Sequence, residues 1–404
     1  MLLANFLRRF IEVGHLRLVD ARGRTHDFGT VGAEPSVSVR VHDKKTERRL
    51  VTHPKLYVGE AYMDGRLTFD DGDLRDFFAV VGANMARLYR DDRLSRLAAA
   101  LRRNILRPIQ QHNPTGKAQK NVAHHYDLSD DLFDLFLDED RQYSCAYFST
   151  PNSSLEQAQA DKKRHLAAKM LLEPGQKVLD IGSGWGGMAL YLAKTADVDV
   201  TGVTLSKEQH QVSNARAREA GLADRVRFLL KDYRELDQRF DRIVSVGMFE
   251  HVGAKHYIEF FRKVRDILSD DGVCVLHSIG RFSEPGTTNP WLRKYIFPGG
   301  YTPAISEVMT AVERCNLITT DIEILRVHYA DTLKHWWRRF SDNRERIREL
   351  YDERFCRMWE FYLLACENAF RNDDQMVFQL QFAKRLLTVP LTRDYMVDWE
   401  RSHA

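Results

Sequence analysis

"KVLDIGSGWGGMALYLAK", residues 177–194, reads as an apolar strand, a glycine-rich turn and the start of a helix. Gly182, Gly184 and Gly187 satisfy the pattern G-x-G-x-x-G in the strand-to-helix context that gives it meaning. Glycines there let the backbone turn tightly and approach a ligand at the helix N-terminus. The bland alternative is a merely tight turn, and the strand before it and the helix after it weigh against that.

Outward from this stretch, short apolar strands alternate with helical segments. The strands are "KVLDIG", "VDVTGVTL", "VRFLLKD", "RIVSVG" and "GVCVLHSIG"; helices are expected at "MALYLAK", "KEQHQVSNARAREAG" and "AKHYIEFFRKVRDIL". This order, with nearly all-apolar strands, predicts a parallel α/β sheet covered on both faces. A late segment, "QMVFQLQFAKR", is expected as an added edge strand, and an aromatic-rich insert at about residues 281–372 precedes it. Residues 1–110 read as a small N-terminal α+β domain, with strands at "HLRLVD" and "SVSVRV" and a helix at "DLRDFFAVVGANMARLY". Residues 111–123, with Pro114 and Gly116, read as a linker, which leaves 124–404 for the main domain.

Two nucleotide-bearing ligands compete for the glycine loop, a dinucleotide and S-adenosyl-L-methionine. A dinucleotide fold wants an acid at the end of the second strand for the ribose hydroxyls. Here that strand ends in "VTLSKEQ", with Thr204, Leu205 and Ser206 in place of an acid. Asp180 lies just before the glycines, where it can orient the loop and meet a positively charged ligand. Asp232, ending the third strand, sits where an adenine amino group would be bound. These acids suit a cationic sulfonium better than a pyrophosphate.

Bulk composition narrows the class. The 404 residues suffice for two domains, and a net charge of +3 gives no ground to expect nucleic acid. Five scattered cysteines without a CxxC pair argue against a disulfide framework and a structural zinc, so no metal is expected, and they suit a reducing cytoplasm. No apolar run approaches the roughly 20 residues that span a bilayer, which makes any membrane contact peripheral.

Six motifs then become specific together: "NVAHHYDLSDDLFDLFLDEDRQYSCAYF", "VLDIGSGWGGMALYLA", "GVTLSKEQ", "LKDYREL", "SVGMFEHVGAKHY" and "VLHSIG". In this order, across about residues 120–395, they resemble the cyclopropane fatty acid synthase family, which includes the mycolic acid cyclopropane synthases. The N-terminal unit resembles the extra domain of the phospholipid-acting bacterial members. Ser183 stands where the family commonly has cysteine, a departure of little weight because the backbone does the binding there. The resemblance implies a Rossmann-like class I methyltransferase sheet with helices on both faces. It implies methylene transfer from S-adenosyl-L-methionine to unsaturated phospholipid at the inner face of the membrane, with a homodimer left open. It also places Tyr143, Ser144, Gly182, Gly184, Thr204, Leu205, Gln209, Asp232 and Tyr233 at the cofactor.

The chemistry implied is demanding. Attack of an isolated alkene on a sulfonium methyl leaves a carbocation, so the site must be dry and free of groups that trap it, with one weak base for the proton. In the family that base is taken to be bicarbonate, and the matching positions here are Cys145, Glu250, His277, Ile279 through its backbone, and Tyr329. His277, at the carboxyl end of a buried strand, reads equally well as a satisfied core histidine. His251 is expected to be a structural neighbour. Cys145, in "RQYSCAYF" (141–148), is expected to be an inert thiol, since a thiolate would take the methyl or trap the cation. The alternative is a small packed hydrophobe.

Two further expectations follow. Trp291, Tyr295, Phe297, Tyr301, Trp336 and Trp337 would line an acyl slot, although singly they read as core. The arginine-rich stretch 87–108 is either a solvated helix face or a surface for anionic headgroups. Rival functions are a methyltransferase giving methyl-branched chains, an amine N-methyltransferase, and a catalytically silent lipid binder.

Overall fold

A computed structural model describes residues 2–88 and 129–403, which form two compact units. The linker expected at 111–123 and nearly all of the arginine-rich stretch lie outside the described residues. No helix among the described residues is long and apolar enough to cross a membrane.

The first unit contains residues 2–88 together with 288–298 and 330–375. Its sheet, ordered β2-β1-β3-β4, is built from β1 (His15–Val19), β2 (Thr25–Gly29), β3 (Ser36–Val41) and β4 (Leu67–Asp71). Apolar side chains such as Leu16, Leu18, Val37, Val39 and Val41 form its core with Leu50, Ala61 and Val80 of the helices Lys44–Thr52, Pro54–Met63 and Leu74–Leu88. Two of the four strands escape a reading by pattern, because "THDFG" and "LTFDD" carry too few apolar residues. The chain returns to this unit late. Trp291 is buried against Phe361 with ring centroids 4.7 Å apart, and the Arg75 guanidinium lies over the Trp337 ring at 4.1 Å.

The second unit is a seven-stranded sheet in the order β10-β11-β9-β8-β5-β6-β7. Its strands are β5 (Lys177–Ile181), β6 (Asp199–Thr204), β7 (Val226–Leu230), β8 (Phe240–Val246), β9 (Leu268–Arg281), β10 (Ile318–Ile324) and β11 (Gln375–Ala383). The pairs β5–β6, β6–β7, β5–β8 and β8–β9 are parallel, and β10–β11 is antiparallel. Successive strand residues face opposite sides, as the pleat demands. Leu179, Ile243, Cys274 and Leu276 meet Phe260, Phe261 and Val264 of the helix Tyr257–Ile267. Val178, Val244 and Val275 meet Leu166 and Leu192 of the helices Leu155–Met170 and Gly187–Ala196 on the other face.

Two expectations are corrected. The strand at 375–383 is interior, and the edge is β10, whose alternating "ITTDIEI" shows no apolar run inside an insert read for its aromatics. The insert is also not one body. Trp291, Tyr295, Phe297, Trp336 and Trp337 pack within the first unit, and Tyr301 alone belongs to the second. Within their units Trp291, Trp336 and Tyr301 are buried core residues.

Candidate active site

The glycine loop is shaped by backbone that only glycine adopts readily. Gly182 has φ +82°, and a side chain on it would meet Met248 Cβ at 2.7 Å. Gly184 has φ +54°, and a side chain there would enter open space. That space is a cavity lined by all ten residues expected to hold the cofactor: Tyr143, Ser144, Asp180, Gly182, Gly184, Thr204, Leu205, Gln209, Asp232 and Tyr233. They come from the ends of three strands, β5, β6 and β7, where ligands collect in open α/β sheets, and from the segment before the helix Leu155–Met170.

Each wall has a local cause. Ser206 caps the helix Lys207–Glu219, accepting from the Gln209 amide at 3.3 Å, and the Thr204 hydroxyl donates to Gln209 Oε1 at 2.9 Å. Asp232 is held by the Arg234 guanidinium at 2.6 and 2.9 Å, so its carboxylate is already paired within the wall. Asp180 is buried and its Oδ2 has no hydrogen-bond partner. Burial pushes its carboxyl up to about 7, against the opposing charge of Lys162. Tyr143 packs edge-on against Phe133, with centroids 5.4 Å apart.

None of the five residues expected at the reaction centre lines this cavity itself; Cys145 and Glu250 each have a chain neighbour in its wall, Ser144 and His251. Glu250 sits in the short turn Phe249–His251 after β8, between the wall residues Met248 and His251. The Ile279 amide donates to Glu250 Oε1 at 2.6 Å, and Oε2 is buried without a partner. Ile279 thus orients the carboxyl through its N–H. Burial lifts Glu250 to about 7, with the Ile279 amide pulling the other way. His277 is buried, its Nδ1 lies 3.2 Å from Gln379 Nε2, and its carbonyl accepts from Gly247 in the cavity wall at 3.0 Å. Burial first, then the charges of Lys162 and Lys169, holds this imidazole well below its usual range and neutral. Cys145 is 1% exposed and its thiol donates to the Ala146 carbonyl at 3.3 Å. Tyr147 is stacked between the rings of His165 (4.1 Å) and His328 (5.0 Å), and Tyr329 is buried beside His328.

Sequence reasoning missed several contributors. Trp185, Arg141 and His256 line the cavity, as does His251, and burial lowers His251 to about 4. Lys162 is fully buried and reaches Gln142 and Ser144. Gln159 Nε2 donates to the carbonyls of the same two residues at 3.1 and 3.0 Å. The signal lay in "EQAQADKKRHLAAKM", where Gln159 and Lys162 share the face of Leu155, Ala158 and Leu166, polar groups where a core stripe should be apolar. Among the described residues no cluster of three or more potential metal ligands occurs.

Such a sheet with a glycine loop and an acid-lined cavity at its strand ends is a class I S-adenosylmethionine-dependent methyltransferase. The fold matches a crystal structure of the mycolic acid cyclopropane synthase CmaA1 complexed with SAH and CTAB, with TM-score 0.63, 34% identity, and coverage of 67% of this chain and 98% of that one. The family model for mycolic acid cyclopropane synthetase matches residues 113–380, and the chain belongs to that family. A domain of unknown function matches residues 13–92. The chain is similar to cyclopropane-fatty-acyl-phospholipid synthase of Escherichia coli K12, with 39% identity over 87% of this chain and 89% of the relative. It is also similar to a probable fatty acid methyltransferase of Pseudomonas putida, with 34% identity over 91% and 93%.

Proposed function

We propose that the protein transfers a methylene group from S-adenosylmethionine to the cis double bond of unsaturated phospholipid acyl chains, with bicarbonate held at Glu250 and His277 as the proton acceptor. The observation that carries this is the Glu250 carboxyl: buried, fixed by the Ile279 amide through one oxygen and open at the other. A methyltransferase for an acidic nucleophile needs no such group. Loss of a proton from a newly added methyl does.

The residues fit both small molecules. Asp180, with its unpaired oxygen, and Gly184, with free space before it, suit the cationic cofactor, which supplies an electrophilic methyl when bound. The open oxygen of Glu250 suits a small oxyanion that also offers a hydrogen, and His277, two residues from the Ile279 amide that holds Glu250, is neutral. Cys145 is closed off, its thiol directed to a backbone carbonyl, so it adds no nucleophile to the site. The kinship with the Escherichia coli cyclopropane-fatty-acyl-phospholipid synthase, over nearly nine-tenths of both chains, supports phospholipid as substrate.

The test is incubation with labelled S-adenosylmethionine and unsaturated phospholipid vesicles, followed by mass spectrometry of the acyl chains. Gain of CH2 supports cyclopropane formation, and gain of CH4 signals a reduced, methyl-branched product. No incorporation refutes the proposal, and turnover unaffected by rigorous removal of carbon dioxide refutes the bicarbonate assignment.

A further inference from the structure

Lys162 is a buried cation that none of the chemistry above employs. It lies on the helix Leu155–Met170 with no exposed surface. Its Nζ donates to Gln142 Oε1 at 2.6 Å and to Ser144 Oγ at 2.8 Å. Its sequence neighbour Lys163 is paired with Asp140, whereas no carboxylate lies within ion-pair distance of Lys162 among the described residues. Both of its acceptors are neutral, and both line the cofactor cavity. Asp138 attracts it only from beyond ion-pair distance, and a charge buried with so remote a counter-charge is costly.

A purely structural staple does not explain it. Gln159 already fastens the backbone of this segment through the carbonyls of Gln142 and Ser144. Lys162 instead bonds only their side chains, in two residues that line the cavity. In the wall of that cavity stands a buried acid in want of a partner, the Asp180 carboxyl with its unpaired Oδ2. An acid in the wall and a base one side chain behind it match a ligand end that carries both an ammonium and a carboxylate.

We propose that Lys162 is a positioning residue that answers, through Ser144 and Gln142, the carboxylate at the amino-acid end of the cofactor, with Asp180 answering its ammonium. This rests on the cofactor reading of the cavity. The lysine polarises the Ser144 hydroxyl and the Gln142 amide, so that the serine proton, and the Gln142 amide hydrogen not already given to Asp140, point at the anion. No bond is made or broken, and the lysine touches no reacting atom.

The test is titration of three ligands: S-adenosylhomocysteine, its analogue lacking only the carboxylate, and methylthioadenosine, which lacks the whole amino-acid end. The natural protein should prefer S-adenosylhomocysteine over the decarboxylated analogue by about 10- to 100-fold, the range for a hydrogen-bonded charge. In Lys162→Met that preference should vanish through loss of S-adenosylhomocysteine affinity, while the other two ligands hold within about twofold. Persistence of the preference overturns the proposal, as does an equal loss for all three ligands, which would mark a structural role. An unchanged preference with a raised half-saturating bicarbonate for turnover also overturns it, by moving the charge to the second anion. Should Lys162→Met not fold, the double variant Ser144→Ala with Gln142→Met removes both relays and leaves the lysine; the preference must collapse there too, and its survival overturns the proposal. If the natural protein bound none of the three, the cofactor reading itself would fall, a result distinct from every other.

Discussion

Replacing Glu250 by glutamine should make the protein more stable and much less active. The carboxyl is buried and lifted from its ordinary 4.5 to about 7, so the folded protein disfavours its charge. At about 1.4 kcal/mol per pH unit, that rise amounts to about 3 kcal/mol of stability withheld at pH above 7. The sign follows from proton counting: between pH 4.5 and 7 the folded form holds a proton that the unfolded form has released, so stability falls as pH rises through this window. Glutamine has the same shape, its carbonyl still accepts from the Ile279 amide, and it never ionises. Thermal unfolding of the two proteins should therefore coincide near pH 4.5 and separate towards pH 7.5, with the variant several degrees higher. Over the same range turnover should drop by about 100-fold or more, the usual cost of removing acid–base machinery. A gap that does not open with pH would show that the carboxyl is not suppressed by burial. Turnover within about fivefold of the natural protein would remove Glu250 from the chemistry.

Cys145→Ser should keep a substantial fraction of activity, because a serine hydroxyl can donate to the same Ala146 carbonyl; a dead variant with normal cofactor binding, or methylated Cys145 found by mass spectrometry, would contradict an inert thiol. Gly184→Val should fold with a modest loss of stability but bind S-adenosylhomocysteine too weakly to titrate, since its side chain enters the cavity; unchanged affinity would refute the loop assignment. Burial opposes the charge of His165, but Glu323 and Glu400 outweigh it and raise its pKa, so its stabilisation is complete below 6.5 and lost as pH rises through the raised value. His165→Gln should flatten that part of the pH–stability curve, and an unchanged curve would exclude the pairing. Vesicle binding should weaken with salt and in Arg102→Glu with Arg103→Glu, and salt-independent binding would leave that stretch a solvated face.

The sheet was legible because its strands are buried on both faces and so read as plain apolar runs, from "KVLDI" to "GVCVLHSIG". Strands β2, β4 and β10 were not, because each is half-buried and carries Asp or Thr where the pattern would need Val or Ile. The residues expected at the cofactor lie next to signposts: Gly182 and Gly184 follow a strand, Thr204 and Gln209 flank a serine cap, and Asp232 follows a strand. Their gathering around one cavity follows from the parallel order alone. What supports them comes from far along the chain and has no local signature. Gln379 meets His277 across 102 residues, and Tyr301 gives its amide to the Glu250 carbonyl from a segment read only as aromatic. The division of the insert between two units was likewise invisible, since Trp291 and Trp336 look the same in a slot as in a core.

Burial ties the parts of the site together. Water exclusion, which the proposed carbocation would require, also suppresses the charges of three of the site's groups. Asp180 and Glu250 are each lifted to about 7 and His277 is kept neutral, so at neutral pH the acids are only partly ionised. Lys162 is lowered by the same burial, but only to about 8, with Asp138 sustaining it, and therefore remains mostly charged. The interior beside the cavity thus leans positive before any ligand arrives. A cationic sulfonium alone would be repelled by that lysine. The same cofactor carried as a zwitterion, followed by the proposed oxyanion near Glu250, would restore balance. A site that is dry enough for the proposed cation could in this way still draw in the two charged molecules that chemistry needs.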